Sequence, residues 1–94
     1  MIAFDHGPRF TLGKLIATPG ARARIPWDEI ESAFQKHARG DWGELDLEDR
    51  QQNELALKRG STLVSIFCAS NGTRFYVITE GDRSVTTVLL PEEY

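Results

Sequence analysis

Two short polar clusters hold most of the side chains in this sequence that could carry chemistry. The first polar cluster, residues 37–46, contains a histidine, an arginine, three acids, a tryptophan and two glycines. The second polar cluster, residues 79–84, has the sequence Thr-Glu-Gly-Asp-Arg-Ser. Neither cluster matches a phosphate-binding loop, a Gly-x-Ser-x-Gly elbow or a Cys-x-x-Cys metal site. Residue types alone therefore leave several kinds of function open.

Hydrolysis is one chemistry that these residue types allow. A histidine can act as a general acid–base when a neighbouring carboxylate orients it, and an arginine can stabilise the charge of a phosphate. Nearby threonine hydroxyls belong to the class of side chains that serve as nucleophiles. The sequence thus supports, as an alternative function, a small nuclease or toxin-like hydrolase. Its candidate catalytic residues are His37, Asp41, Glu80, Arg83 and Thr86 or Thr87.

His37 also has a structural interpretation. It follows Ile30 and Phe34 at helical spacing, which places it on an apolar stripe close to the end of a helix. A histidine in that position commonly hydrogen-bonds a free backbone carbonyl and packs against the last turn. Both interpretations stay open, because no sequence pattern links His37 to a nucleophile.

Protein binding is the second function that the clusters indicate. Trp42 stands between two glycines, and tryptophan and arginine dominate the hot spots of interfaces. Its ring would either anchor a partner from an exposed position or fill a gap between helices and sheet. Arg83 would either bind a ligand or pair with an acid of the 41–49 segment and so tie the sheet to the helices. The candidate binding residues are Trp42, Asp41, Asp82 and Arg83.

Composition and charge limit the class of protein. A chain of 94 residues with 40% hydrophobic and 27% charged side chains is typical of one globular domain, 1–94. A net charge of -3 does not draw a protein to nucleic acid, and it argues against a ribonuclease toxin, a class that is usually basic. We therefore expect a protein partner, or a homo-oligomer in which an apolar edge strand pairs across a two-fold axis.

Cysteine and histidine usage argues against disulfides and bound metals. The sequence has one cysteine, Cys68, whose apolar surroundings predict a buried side chain, and a single cysteine fits a reducing compartment. His6, His37 and Cys68 lack the spacing of metal ligands, so no metal and no cofactor is expected. Neither a signal peptide nor an apolar run of about 20 residues is present, which predicts a soluble, cytoplasmic protein without membrane contact.

Local patterns predict the elements that position the two clusters. Residues 1–9 are expected to form a flexible or strand-like arm, and 10–17 an edge strand or the approach to a helix. Capping residues and apolar periodicity predict helices at 19–24, 27–39 and 47–59.

From residue 61 onward the apolar pattern alternates, which is typical of strands. It predicts strands at 61–69, 75–79 and 85–90, the first two joined by an Asn71-Gly72 turn. The expected fold is a two-layer α+β domain with helices packed on one face of an antiparallel meander. The meander has three strands, or four if the segment 10–17 joins it.

Several stretches are shared with a known group of proteins. They are Ala17-Thr18-Pro19-Gly20, Gly40-Asp41-Trp42-Gly43 with Asp49 and Asn53, Val77-Ile78-Thr79-Glu80, Asp82-Arg83-Ser84, Thr86-Thr87 and Leu89-Leu90-Pro91-Glu92-Glu93-Tyr94. In these stretches the chain resembles small bacterial proteins of unknown function encoded in chromosomes and on plasmids or integrating elements. Gly81 departs from the pattern, which has a larger side chain there. The resemblance implies membership of that group and carries over no fold, activity or catalytic residue.

Size, acidity, the lack of a catalytic motif and the Trp42 segment together favour one function. We expect a small, soluble, non-enzymatic protein-binding domain. A link to mobile-element or host-interference systems is what the resemblance adds.

Overall fold

The computed structural model describes residues 7–94. In chain order the elements are β1 (Lys14–Ala17), α1 (Pro19–Arg24), α2 (Trp27–Ala38), α3 (Leu47–Arg59), β2 (Leu63–Cys68), β3 (Arg74–Thr79), β4 (Val85–Leu89) and a 3-10 turn (Pro91–Glu93). Most of the predicted arm at 1–9 lies outside the described residues. Its last residue is held in place, because Arg9 forms an ion pair with Glu54 at 2.7 Å.

The four strands form one mixed sheet in the order β1-β4-β3-β2. The strands β2, β3 and β4 run antiparallel, so the predicted α+β class and the meander are confirmed. The segment 10–17 does supply a fourth strand, but β1 runs parallel to β4, with Lys14 beside Val85. A parallel neighbour requires a crossover connection, and all three helices together with β2 and β3 separate β1 from β4 along the chain.

The helices begin and end where local chemistry predicts. The Thr18 hydroxyl accepts a hydrogen bond from the Ala21 N–H at 3.2 Å, and Asp46 caps α3 by accepting from the Asp49 N–H at 2.8 Å. Gly60 ends α3 in the left-handed region with φ +70°, a conformation that glycine adopts without steric cost.

The sheet has a helix face and an open face. On the helix face, Phe75 and Val77 of β3 share one apolar cluster with Ile30 and Phe34 of α2. Because side chains alternate along a strand, the residues between them point to the opposite face, which we call the open face and on which Ile78 and Leu89 are buried. Every helix within residues 7–94 is too short or too polar to span a lipid bilayer.

Candidate functional site

The first polar cluster closes the outer edge of β2. The Ile66 N–H donates to the Trp42 carbonyl at 3.2 Å, and the Glu44 N–H donates to the Ile66 carbonyl at 2.7 Å. Residues 42–44, which we call the edge segment, therefore form one parallel β-bridge with β2, between Gly43 and Ile66. An edge strand exposes unpaired backbone N–H and C=O groups that can pair with another chain. At β2 the edge segment hydrogen-bonds to these groups.

Asn53 closes the same edge one step earlier along β2. Its amide donates to the Val64 carbonyl at 2.6 Å, and its carbonyl accepts from the Val64 N–H at 3.2 Å. This side chain is only 5% exposed although it is polar and lies in the middle of α3. No sequence pattern marks this role, since α3 buries Asn53 and Ala56 while Leu47 and Leu55 are exposed.

Asn53→Ala is expected to destabilise the domain by about 2 kcal/mol, because it leaves the Val64 N–H and carbonyl without partners. Urea unfolding monitored by circular dichroism would measure the change. Gln52→Ala is the matched control, since Gln52 is exposed on the same helix turn, and it should change stability by less than about 0.5 kcal/mol. Equal effects of the two substitutions would contradict the role given to Asn53.

Gly43 permits the close approach of the edge segment to β2. Its φ is +71°, and a Cβ at this position would overlap the Ile66 carbonyl. The Asp41 carboxylate stabilises the bend by accepting a hydrogen bond from the Gly43 N–H at 3.0 Å. Asp41, a candidate catalytic and binding residue, is thus an exposed turn residue. The glycines beside Trp42 allow the conformation of the backbone at this bend.

Trp42 fills the interior next to the edge segment. Its ring is 4% exposed and belongs to an apolar cluster with Leu45, Ala56 and Leu63. The indole N–H donates to the Glu54 carboxylate at 3.0 Å. The exposed anchor considered for Trp42 does not agree with this position, because the backbone pairing at residues 42–44 turns the ring inward. A partner cannot contact the ring without opening the domain.

His37 lies at the centre of a buried hydrogen-bonded chain. Its Nδ1 is 2.5 Å from the Ser65 hydroxyl and its Nε2 is 2.9 Å from the Thr79 hydroxyl. The chain continues from Thr79 to the Thr86 hydroxyl at 2.7 Å, and Thr86 donates to the Leu12 carbonyl at 2.7 Å. We call these four side chains the hydroxyl–imidazole chain. They bind one another rather than the free helix carbonyl that was expected to bond His37.

Counting protons assigns the tautomer of His37. Thr86 uses its only hydroxyl proton on the Leu12 carbonyl, so it must accept from Thr79. Thr79 has then spent its own proton and must accept from Nε2–H of the imidazole. Nδ1 is left as the acceptor for the Ser65 hydroxyl. A neutral His37 with its proton on Nε2 therefore satisfies the whole chain.

The surroundings keep His37 in this neutral form. The side chain has no exposed surface. Burial, and secondarily the positive charge of Arg83, lowers the pKa of His37 to about 4. At neutral pH both ring nitrogens are occupied by hydroxyls and no solvent reaches them. The geometry therefore favours the structural interpretation of His37 over acid–base catalysis.

Arg83 binds backbone carbonyls instead of an acid. Its guanidinium donates to the Ser61 carbonyl at 2.6 Å and to the Ala56 carbonyl at 3.1 Å. The expected ion pair with an acid of the 41–49 segment is not formed among the described residues. The last carbonyls of a helix carry partial negative charge, so the C-terminal end of α3 attracts the cation in place of a carboxylate.

The other residues of the second polar cluster form a tight turn. The Asp82 carboxylate accepts from the Ser84 N–H at 2.9 Å, and hydrogen bonds from Ser84 lower the pKa of Asp82. Glu80 is exposed, and its carbonyl accepts from the Arg83 N–H at 2.8 Å. A Cβ on Gly81 would approach the Gly60 carbonyl oxygen to 2.8 Å, so a larger side chain here would require one of the two backbone segments to shift.

The structure brings some of the catalytic candidates together, but not around an open space. His37 and Arg83 both contact the ring of Phe10, with ring centroids 5.3 Å apart for the histidine and the guanidinium carbon 5.7 Å from the ring centroid. Thr86 is buried on the helix face, whereas Thr87 alternates to the open face. Asp41 and Glu80 are exposed turn residues. These contacts do not favour the hydrolase alternative.

The open face carries a cleft of about 520 Å³ beside α3. Val64 and Ile66 of β2 and Tyr76 of β3 line it, and all three are half-buried. Leu55 of α3 is 39% exposed, and Tyr94 contributes a ring whose centroid lies 5.9 Å from that of Tyr76. The cleft also has charged lining residues, Asp49 and Arg59. No sequence pattern indicates this surface, since its residues are spread over α3, β2, β3 and Tyr94.

Comparison of the chain with family models, curated proteins and solved structures finds no match. The resemblance to small bacterial proteins encoded on plasmids and integrating elements therefore stays a prediction.

Proposed function

We propose that this chain is a small, non-enzymatic protein-binding domain whose contact surface is the cleft on the open face. The observation that carries the proposal is the apolar lining of the cleft, in which Val64, Ile66 and Tyr76 are only half-buried on a folded sheet. Concave apolar surfaces with a few polar groups are common binding sites. Of the candidate catalytic residues, His37, Arg83 and Thr86 are engaged in internal hydrogen bonds, which supports binding rather than turnover.

The cleft favours a partner of a particular chemistry. An apolar side chain of the partner would enter between Tyr76 and Leu55, while Asp49 and Arg59 would meet polar groups around it. The net charge of -3 supports a protein partner over nucleic acid. A cytoplasmic setting agrees with the exposed, free thiol of Cys68, although this side chain had been predicted to be buried. A mobile-element or host-interference role rests on the resemblance.

Leu55→Lys is expected to abolish capture of a stoichiometric protein partner from a lysate of the source cells by the tagged chain. The substitution places a charge at the mouth of the apolar cleft, whereas Leu55 is already 39% exposed and the fold should survive. Capture should resist nuclease treatment, and nuclear magnetic resonance shifts caused by the purified partner should map to the cleft.

Ile16→Lys is the matched control for partner capture, because Ile16 is 38% exposed and lies on β1, outside the cleft. It should retain the partner. Recovery of only nuclease-sensitive material, or equal capture by the native chain and Leu55→Lys, would contradict the proposed function.

A further inference from the structure

The two edges of the sheet differ in their backbone pairing. The β2 edge is occupied by the edge segment and by Asn53, as described above. At the other edge, β1 has a neighbouring strand on one side only among residues 7–94. One edge is thus closed and one is open, a combination that allows a sheet to pair once without growing into a filament.

The pairing pattern of β1 shows which of its backbone groups are available. The N–H groups of Lys14 and Thr18 donate to carbonyls of the β4 side, at 2.9 and 3.0 Å. Because backbone groups alternate in direction along a strand, those of Leu15 and Ala17 point away from β4. The strand therefore offers two outward peptide donors and two outward acceptors within its four residues.

The side chains of β1 are unusually apolar for an open edge. Leu15 is 52% exposed on the helix face and Ile16 is 38% exposed on the open face. Leu15 also borders a shallow cleft of about 380 Å³ with Leu12 and Phe34. A strand added at this edge would cover apolar surface on both faces of the sheet.

We propose that β1 pairs with β1 of a second copy of this chain, antiparallel across a two-fold axis at Ile16, so that the two four-stranded sheets become continuous. Leu15 then lies opposite Ala17 of the second copy, and each pair exchanges two backbone hydrogen bonds. Ile16 lies opposite its own copy in a non-hydrogen-bonded pair, where side chains approach closest. On the helix face each Leu15 thus lies opposite a small Ala17, and on the open face the two copies of Ile16 contact each other.

Charge complementarity favours a second copy over an unrelated strand. In this register Lys14 lies opposite Thr18 of the second copy. The Thr18 hydroxyl donates to the Glu93 carboxylate at 2.5 Å, so an acid stands next to that position. Lys14 is exposed and shares the open face with Ile16 and Thr18. Each copy therefore supplies both the cation, Lys14 of β1, and the anion, Glu93 of the 3-10 turn, that this pairing brings together.

The test is the mass of the full-length chain in solution, measured by light scattering and sedimentation from micromolar to millimolar concentration. We expect twice the chain mass of 10.6 kDa. Ile16→Lys should raise the dissociation constant of the dimer by about tenfold or more, because it places two cations directly opposite each other. Leu55→Lys, of matched exposure in the cleft, should leave the dimer intact. A monomer at every concentration overturns the proposal, as does a dimer that Leu55→Lys alone disrupts.

A cysteine pair tests the register independently of affinity. In a Cys68→Ser background, Ile16→Cys should form an intermolecular disulfide under mild oxidation, because the two copies of residue 16 face each other. Lys14→Cys is the control, since its two copies would be about 13 Å apart along the strands. Cross-linking at position 14 but not at 16 overturns the register. The partner-capture experiment is independent, because its variant lies in the cleft and the variants here lie on β1.

Discussion

Trp42→Ala is expected to lower the free energy of unfolding by about 3–5 kcal/mol, the cost of deleting a large buried aromatic ring. The ring lies between Phe10, at a centroid distance of 6.2 Å, and His37, at 5.6 Å. Its removal leaves a cavity beside the hydroxyl–imidazole chain and takes one donor from Glu54. Small domains are stable by only about 5–15 kcal/mol, so this loss is a large share of the total.

Thermal and urea unfolding would measure the effect, and the melting temperature should fall by about 20 °C. The chain contains its own control in Trp27, which is 60% exposed on α2. Trp27→Ala removes the same side chain but almost no buried contact, so it should cost less than about 1 kcal/mol. An unchanged melting temperature in Trp42→Ala would show that the ring is not buried in solution.

The second large effect is on acidification. The contribution of His37 by itself should lower the free energy of unfolding by about 3 kcal/mol as the pH falls from neutral to about 4. Its pKa is about 4 in the folded protein and 6.5 in an unfolded chain. Between these values the unfolded state binds more protons than the folded state, so acid favours unfolding. The contribution of neutral His37 is fully present above pH 6.5, decreases as the pH falls, and is lost near pH 4.

Urea unfolding at a series of pH values from neutral to pH 4 would measure this slope. His37→Gln is the control, because its amide can donate to Thr79 but does not titrate. Released from Nδ1, the Ser65 hydroxyl can turn to the Asp41 carbonyl 3.4 Å away. The native chain and His37→Gln should differ in how steeply the free energy of unfolding changes with pH. This difference is the contribution of His37, separate from that of carboxylates that titrate at lower pH. Equal slopes would show that His37 is solvated or charged in the native state.

Local chemistry accounts for the parts of the fold that the sequence predicted well. The Thr18 and Asp46 caps, the Gly60 stop and the Asn71-Gly72 turn each act within a few residues, so their effect can be predicted from the neighbouring sequence. The direction of β1 could not be obtained this way. Its pairing with β4 depends on the path of every element between them, and no residue near β1 encodes that path.

The candidate site likewise has features that the sequence predicted and features that it did not. His37, Trp42 and Arg83 were recognised as residues able to do chemistry, but residue type does not reveal whether a group faces solvent. His37 is neutral and buried only because Ser65, Thr79 and Thr86, on three different strands, meet on one face of the sheet. Arg83 has carbonyl partners because the second polar cluster reaches the end of α3. Such groupings depend on which distant elements pack together, and neighbouring residues in a sequence do not reveal that.

The parallel pairing of β1 with β4 also has a kinetic consequence. Lys14 and Val85 lie near opposite ends of the chain, so their contact closes a long loop, whereas the meander from β2 to β4 closes only short ones. Long loops are closed late, because their entropy is lost before the contacts form. β1 should therefore dock after the meander has folded and detach first in partial unfolding. Until it docks, the growing sheet also presents β4 as an exposed edge.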